Sequence, residues 1–112
     1  MMDMTKKILN VPILDVKIIY GGLDVMGTEY YIQQQLDSGS IVDACCWRDH
    51  EGIKFAYSRN LRLSVLAHEI VHLINIMYRE KGIKLDTEND EWQAYLTSWL
   101  FKNLYEGIYN ET

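Results

Sequence analysis

Cysteine, proline and positive charge are all scarce in this 112-residue chain. It has one proline and two cysteines, and its 11 Lys and Arg residues stand against 16 Asp and Glu residues. Because Cys45 and Cys46 are adjacent, they cannot form an ordinary disulfide with each other, and they are too few for the disulfide framework of a small secreted protein. The formal charge of −5 argues against a nucleic-acid-binding protein that neutralises phosphates.

Long apolar runs are also missing. No stretch approaches the roughly 18–20 apolar residues of a membrane-spanning helix. The amino-terminal apolar run is interrupted by Asn10, Pro12 and Asp15, so it is shorter than the apolar segment of a secretory leader. The hydrophobic fraction of 48% is nevertheless too high for a disordered chain. We therefore expect a single cytoplasmic domain over residues 1–112 that binds neither nucleic acid nor membrane.

The first half of the chain favours β-strands. Runs rich in β-branched residues extend from Val11 to Tyr20, from Ile41 to Trp47 and from Ile53 to Tyr57. Turn residues from Asp49 to Gly52 separate the last two runs and predict a β-hairpin. A short helix from Thr28 to Leu36 is predicted between the first run and the hairpin.

The second half favours two helices. The segment from Leu61 to Lys81 has no glycine or proline and is followed by Gly82, a typical carboxy-terminal cap. A second helix is predicted from Thr87, capped by the Thr87 hydroxyl and by Asp90, to about Glu106, before Gly107. The fold class is therefore α+β: a small β-sheet of about three strands, including the hairpin, with the helices on one face.

The first of these helices carries a narrow polar stripe. At 100° per residue, His72, Asn75 and Arg79 fall within about 40° of His68, and Glu69 lies on the flank near 100°. The apolar residues opposite the stripe are Leu63, Leu66, Ile70, Leu73, Ile74 and Met77. Because a surface helix normally has a broad polar face, we expect a central helix with a buried functional stripe.

Residues 68–72 read HEIVH, which has the HExxH form. His68 and His72 project from successive turns and can both bind one Zn²⁺ at about 2.0–2.1 Å. From its flank position Glu69 can accept the proton of a metal-bound water, which is the role of a general base. The alternative interpretation is a pair of structural histidines held by hydrogen bonds.

A catalytic zinc site also needs a third protein ligand and an open position for water. Eighteen residues, 73–90, separate His72 from Glu91, which leaves room for the helix to end and for the next helix to present Glu91. The competing candidates are Glu88, Asp86, Asp90 and, in the hairpin turn, His50, which is more simply an exposed turn residue.

HEIVH, eighteen residues and then Glu91 resemble the HExxH-x18-E signature of the aminopeptidase-type gluzincins. Residues 90–94, DEWQA, also resemble the N-E-x-x-A sequence around the third ligand of that family, with Asp90 in place of asparagine. In size and order the whole chain is similar to small zincin-like metallopeptidases encoded in phage and prophage genomes. It does not resemble the metzincins, because Asn75 and Tyr78 stand where their glycine and third histidine would be.

This resemblance implies a minimal zincin-like fold with one Zn²⁺ as cofactor. It implies that His68, His72 and Glu91 are the metal ligands and that Glu69 is the catalytic base. Tyr95, one turn after Glu91 on the same helix face, is a candidate catalytic residue that would stabilise the oxyanion. The weaker alternatives for that role are Tyr78 and Tyr105.

We therefore expect a zinc-dependent hydrolase, a peptidase that acts on a peptide or protein substrate. The substrate would pair with an exposed strand edge, at residues 53–57 or 41–47. Only residues 92–112 follow Glu91, whereas large gluzincins have a second wall beside the metal. The alternative is accordingly a metal-stabilised phage or host-interaction protein that binds a protein partner with little or no catalysis. A closed structural metal site is a third possibility.

Overall fold

The computed structural model describes residues 6–26 and 43–110. Its elements, in chain order, are β1 (Lys7–Val11), β2 (Val16–Gly22), the short helix α1 (Leu23–Met26), β3 (Ala44–Asp49), β4 (Gly52–Tyr57), α2 (Leu63–Lys81) and α3 (Glu91–Tyr109). The predicted α+β class is confirmed, although the sheet has four strands instead of about three. The helix predicted from Thr28 to Leu36 lies outside the described residues.

The additional strand arises because the run from Val11 to Tyr20 is not one strand. Pro12 has no amide hydrogen for a strand ladder, and Ile13 and Asp15 adopt positive φ angles of 72° and 53°. The chain therefore turns between β1 and β2, which pair antiparallel with Val11 opposite Val16. This conformation is rare for a β-branched residue such as Ile13, so the sequence pattern predicts a continuous strand instead.

The strand order in the sheet is β1-β2-β4-β3. The predicted hairpin is confirmed: β3 and β4 pair antiparallel across a tight turn, with Asp49 opposite Gly52 and Cys46 opposite Phe55. In contrast, β2 and β4 pair in parallel. Within the described residues, β3 is thus an edge strand, whereas β4 is internal and has no edge for a peptide to join.

The main core lies between one face of the sheet and the two long helices. Alternate residues of the inner strands, including Ile18, Ile53 and Phe55, point toward the helices and are buried. The helices contribute residues at helical spacing: Leu66, Ile70, Leu73 and Met77 from α2, and Leu96, Leu100 and Leu104 from α3. Met26, Trp47 and Ala56 form a separate small cluster on the other face of the sheet.

Helix α2 ends where the sequence predicts. Gly82 has a left-handed φ of 68°, and its amide donates to the Arg79 carbonyl oxygen. The following amide, that of Ile83, donates to the Tyr78 carbonyl oxygen at 2.8 Å and completes the cap. No described helix combines the length and the apolar character that crossing a membrane requires.

Helix α3 differs from its prediction at both ends. It begins at Glu91 instead of Thr87, and Asp90, at the cap position, makes no side-chain capping bond. The turn before it is held by Asp86, whose Oδ1 accepts the Glu88 amide at 3.0 Å. At the other end the helix continues through Gly107 to Tyr109. A Cβ atom at position 107 would collide with the Tyr20 hydroxyl, so this glycine permits close packing and does not end the helix.

Candidate metal centre and adjoining cleft

His68 and His72 lie one turn apart on α2, and their Nε2 atoms are 3.2 Å apart. Two Zn–N bonds of roughly 2.0–2.1 Å at a tetrahedral angle place the two nitrogens about 3.3 Å apart. The pair therefore fits two positions of one tetrahedral zinc site. The same separation also fits a hydrogen bond between the rings if one Nε2 carries the hydrogen. A measurement of metal binding distinguishes the two interpretations.

The polar stripe is not buried, contrary to the expectation from the helical wheel. His68 and His72 are both exposed, and the buried member of the motif is Glu69, with 6% of its surface accessible. Glu69 is buried because α2 lies beside the edge strand β3 and packs against it. The flank that carries Glu69 faces β3, whereas both histidines are exposed and His72 lies at the cleft between α2 and β3.

Glu69 is held against β3 by a cysteine. The Cys46 thiol donates a hydrogen bond to Glu69 Oε2, with 3.4 Å between Sγ and the oxygen. This contact fixes the carboxylate at the boundary between α2 and the edge strand. A carboxylate held one residue after His68, and lining the same cleft as His72, is suitably placed to take a proton from a water beside the histidine pair.

A cleft of about 350 Å³ opens between β3 and α2. Residues 44–46 of β3 form one side, and Glu69, His72, Asn75 and Arg79 line the side contributed by α2. Beyond Arg79, the Nε atom of Arg48 lies 3.0 Å from Glu80 Oε2, and this ion pair connects the strand to the helix. The cleft is open to solvent.

The two cysteines of the cleft are strongly biased toward the neutral thiol. Burial and the nearby Glu69 carboxylate raise the pKa of Cys45 to about 11. The same two causes, together with the hydrogen bond to Glu69, raise the pKa of Cys46 still further. Because zinc is bound by thiolates, these pKa values favour a structural role for both residues. Cys45 and Cys46 are therefore interpreted as ordinary strand residues.

We expect Cys45 to react slowly with iodoacetamide in the folded protein. A pKa of about 11 instead of 9.0 lowers the thiolate fraction at pH 8 about a hundredfold, and the greater nucleophilicity of the more basic thiolate recovers roughly a factor of ten. Mass spectrometry of the modified peptides should therefore show alkylation about tenfold slower than in the urea-unfolded chain. Equal rates in the two states would contradict the described environment of this thiol.

The third ligand is not assembled in this structure. Among residues 6–26 and 43–110, no group of three His, Cys, Asp or Glu side chains is arranged to hold a metal ion. Glu91 is the first residue of α3 and is exposed, as is the whole segment 82–90 that precedes it. Glu88 and Asp90 belong to that exposed segment, and Asp86 accepts the Glu88 amide. The assignment of Glu91 as a zinc ligand therefore stays a prediction.

The remaining predicted residues lie away from the histidine pair or are untested. His50 is exposed in the β3–β4 turn, where it lies beside Arg48 and Glu80 at the opposite end of α2 from His68. Tyr95 is 54% exposed and stacks on Trp92, with 5.7 Å between ring centroids. Its predicted role as oxyanion donor is not tested by this geometry.

Residues 44–46 belong to the strand edge at 41–47 that the sequence suggests for substrate pairing, but their position beside α2 is not predicted. Their place in the cleft follows from the pairing of β3 with β4 and from the packing of α2 against β3, and no local motif encodes it. Asn75 and Arg79 were identified from the polar stripe, and the structure brings both into the cleft. The chain matches no protein-family model, no curated protein and no solved structure, so the likeness to gluzincins rests on the motif and its spacing.

Proposed function

We propose that this protein is a zinc-dependent hydrolase that cleaves peptides. The observation that carries the proposal is the convergence of His68 Nε2 and His72 Nε2, 3.2 Å apart, beside the held carboxylate of Glu69. Two imidazoles at zinc-ligand separation and one adjacent carboxylate are the minimum that metal-assisted hydrolysis requires from one helix. The adjoining cleft provides space for a substrate backbone.

In this proposal each residue of the motif has one task. His68 and His72 bind Zn²⁺ through Nε2, and Glu91 is the predicted third ligand. When bound, zinc lowers the pKa of its water toward ~7 and polarises the substrate carbonyl. Glu69 Oε2 accepts the hydrogen bond from Cys46, so Oε1 takes the proton of the attacking water and returns it to the leaving amine. Both cysteines are free, which suits a reducing compartment, and we place the protein in the cytoplasm.

The test is peptide hydrolysis by protein of known metal content. We expect about one zinc ion per chain and cleavage of casein or a mixed peptide library, read by mass spectrometry. EDTA should abolish cleavage and added zinc should restore it. Protein that binds zinc and cleaves none of these substrates would refute the hydrolase and favour the alternative, a metal-stabilised binding protein. Protein that binds no zinc would refute both.

A further inference from the structure

The cleft contains an arginine, Arg79, for which the described residues supply no acidic partner. Arg79 follows His72 by seven residues, so its Cα lies about 10 Å further along the same face of α2, beyond Asn75. In the part of the chain that the structure describes, no carboxylate pairs with the Arg79 guanidinium. Arg48 of β3, by contrast, forms an ion pair with Glu80 at 3.0 Å.

The charges of the cleft are therefore separated along its length. Glu69 supplies a negative charge at the histidine end, and Arg79 supplies an unneutralised positive charge at the other. An open groove that ends in an unpaired guanidinium favours a ligand that presents a carboxylate at that position, because guanidinium and carboxylate form paired, charge-assisted hydrogen bonds.

We propose that Arg79 is a specificity-determining residue that binds a carboxylate of the peptide substrate about three residues from the cleaved bond. An extended chain rises roughly 3.3–3.4 Å per residue, so three residues span the distance from His72 to Arg79. The edge strand β3 lies alongside, and within the described residues only β4 pairs with it. The carboxylate is that of an Asp or Glu side chain or of the peptide's own terminus. This inference rests on the proposed hydrolase and names its substrate class.

The probes are labelled eight-residue peptides of Ala, Ser and Leu in which a single Glu occupies each position in turn. A second set without Glu ends either in a free carboxylate or in a carboxamide. Cleavage by the zinc-loaded protein is followed by mass spectrometry. Binding to metal-free protein is followed by fluorescence anisotropy, which does not depend on catalysis. The two peptide sets distinguish a side-chain carboxylate from a terminal one.

We expect peptides with a correctly placed carboxylate to bind and to be cleaved about tenfold better than neutral peptides. Arg79→Gln should remove this preference, and Arg79→Lys should retain part of it because lysine keeps the charge but not the planar pair of donors. Lys81→Gln is the matched control, since it removes an exposed cation from the same helical turn outside the cleft. Raising the salt concentration should weaken the preference in the wild type.

The possible results separate this proposal from the hydrolase itself. If Arg79→Gln abolishes the binding preference but no peptide is cleaved, the role of Arg79 stands and the hydrolase fails. If neutral and acidic peptides are cleaved equally, or if Arg79→Gln behaves as Lys81→Gln does, the role of Arg79 is refuted and the hydrolase stands. Absence of both binding and cleavage would refute the two together.

Discussion

Replacing Glu69 with glutamine should reduce the rate of peptide hydrolysis by about 10²–10⁴-fold and leave zinc binding intact. Glutamine matches the shape of glutamate, and its amide oxygen can still accept the hydrogen bond from the Cys46 thiol. It cannot accept the proton of the attacking water, however. Glu69 is not a predicted metal ligand, so the loss should appear in kcat while the affinity for zinc stays the same.

The comparison needs a control for folding, because Glu69 is buried. The circular dichroism spectrum and the thermal midpoint of the variant should remain close to those of the wild type. Glu106→Gln removes an exposed carboxylate near the end of α3, far along the chain from the motif, and should hydrolyse at the wild-type rate. A folded Glu69→Gln variant with wild-type kcat would show that another group is the base.

Replacing either His68 or His72 with alanine should abolish the stabilisation of the fold by zinc. A ligand that binds only the folded state contributes about 2.7 kcal/mol when its concentration is one hundred times its Kd. For a domain of this size the increase in the melting temperature is roughly 10 °C. Both histidines are exposed, so their removal should itself cost little stability, and the metal-free melting temperatures of the variants should match the wild type.

His50→Ala is the control for this experiment, because His50 is also exposed but lies at the opposite end of α2. That variant should retain the full zinc-dependent increase. A zinc effect that survives in His68→Ala and His72→Ala would place the metal elsewhere on the protein. The same assay decides the third ligand, since Glu91→Gln should diminish the increase and Glu88→Gln should not.

Local patterns predict the parts of this fold that depend on local interactions. The end of α2 at Gly82 and the β3–β4 hairpin are correct, because a left-handed cap and a tight turn are determined by the few residues within them. The beginning of α3 is wrong because Asp86 stabilises a turn that competes with helix initiation at Thr87. The local pattern predicts a helix end at Gly107, whereas the actual constraint on this glycine is the distant Tyr20 ring.

In the candidate site, too, local spacing predicts some features, and others depend on tertiary packing. The two histidines and Glu69 follow from helical spacing within five residues. The two Nε2 atoms lie 3.2 Å apart, as that spacing predicts, whereas the roles of the three residues stay predictions. The exposure of the histidines depends on which strand forms the edge of the sheet, and hydrophobic periodicity contains no information on strand order. Whether Glu91 reaches the histidine pair depends likewise on the packing of α2 and α3 and on the loop between them. It is the one part of the predicted ligand set that spacing alone cannot establish.

The carboxy-terminal helix is tied to the first strand by Lys7, whose Nζ donates to the Gly107 carbonyl oxygen at a separation of 100 residues. Parallel pairing of β2 with β4 also joins distant residues, such as Ile18 and Ile53. The entropy of closing a loop increases with its length, so the largest ordering costs fall on the docking of β1 and α3. The cleft draws its lining from one continuous segment, residues 44–79, and carries less of that cost than the docking of β1 and α3. In folding terms, the proposed chemistry resides in a segment that can assemble before the two ends of the chain meet.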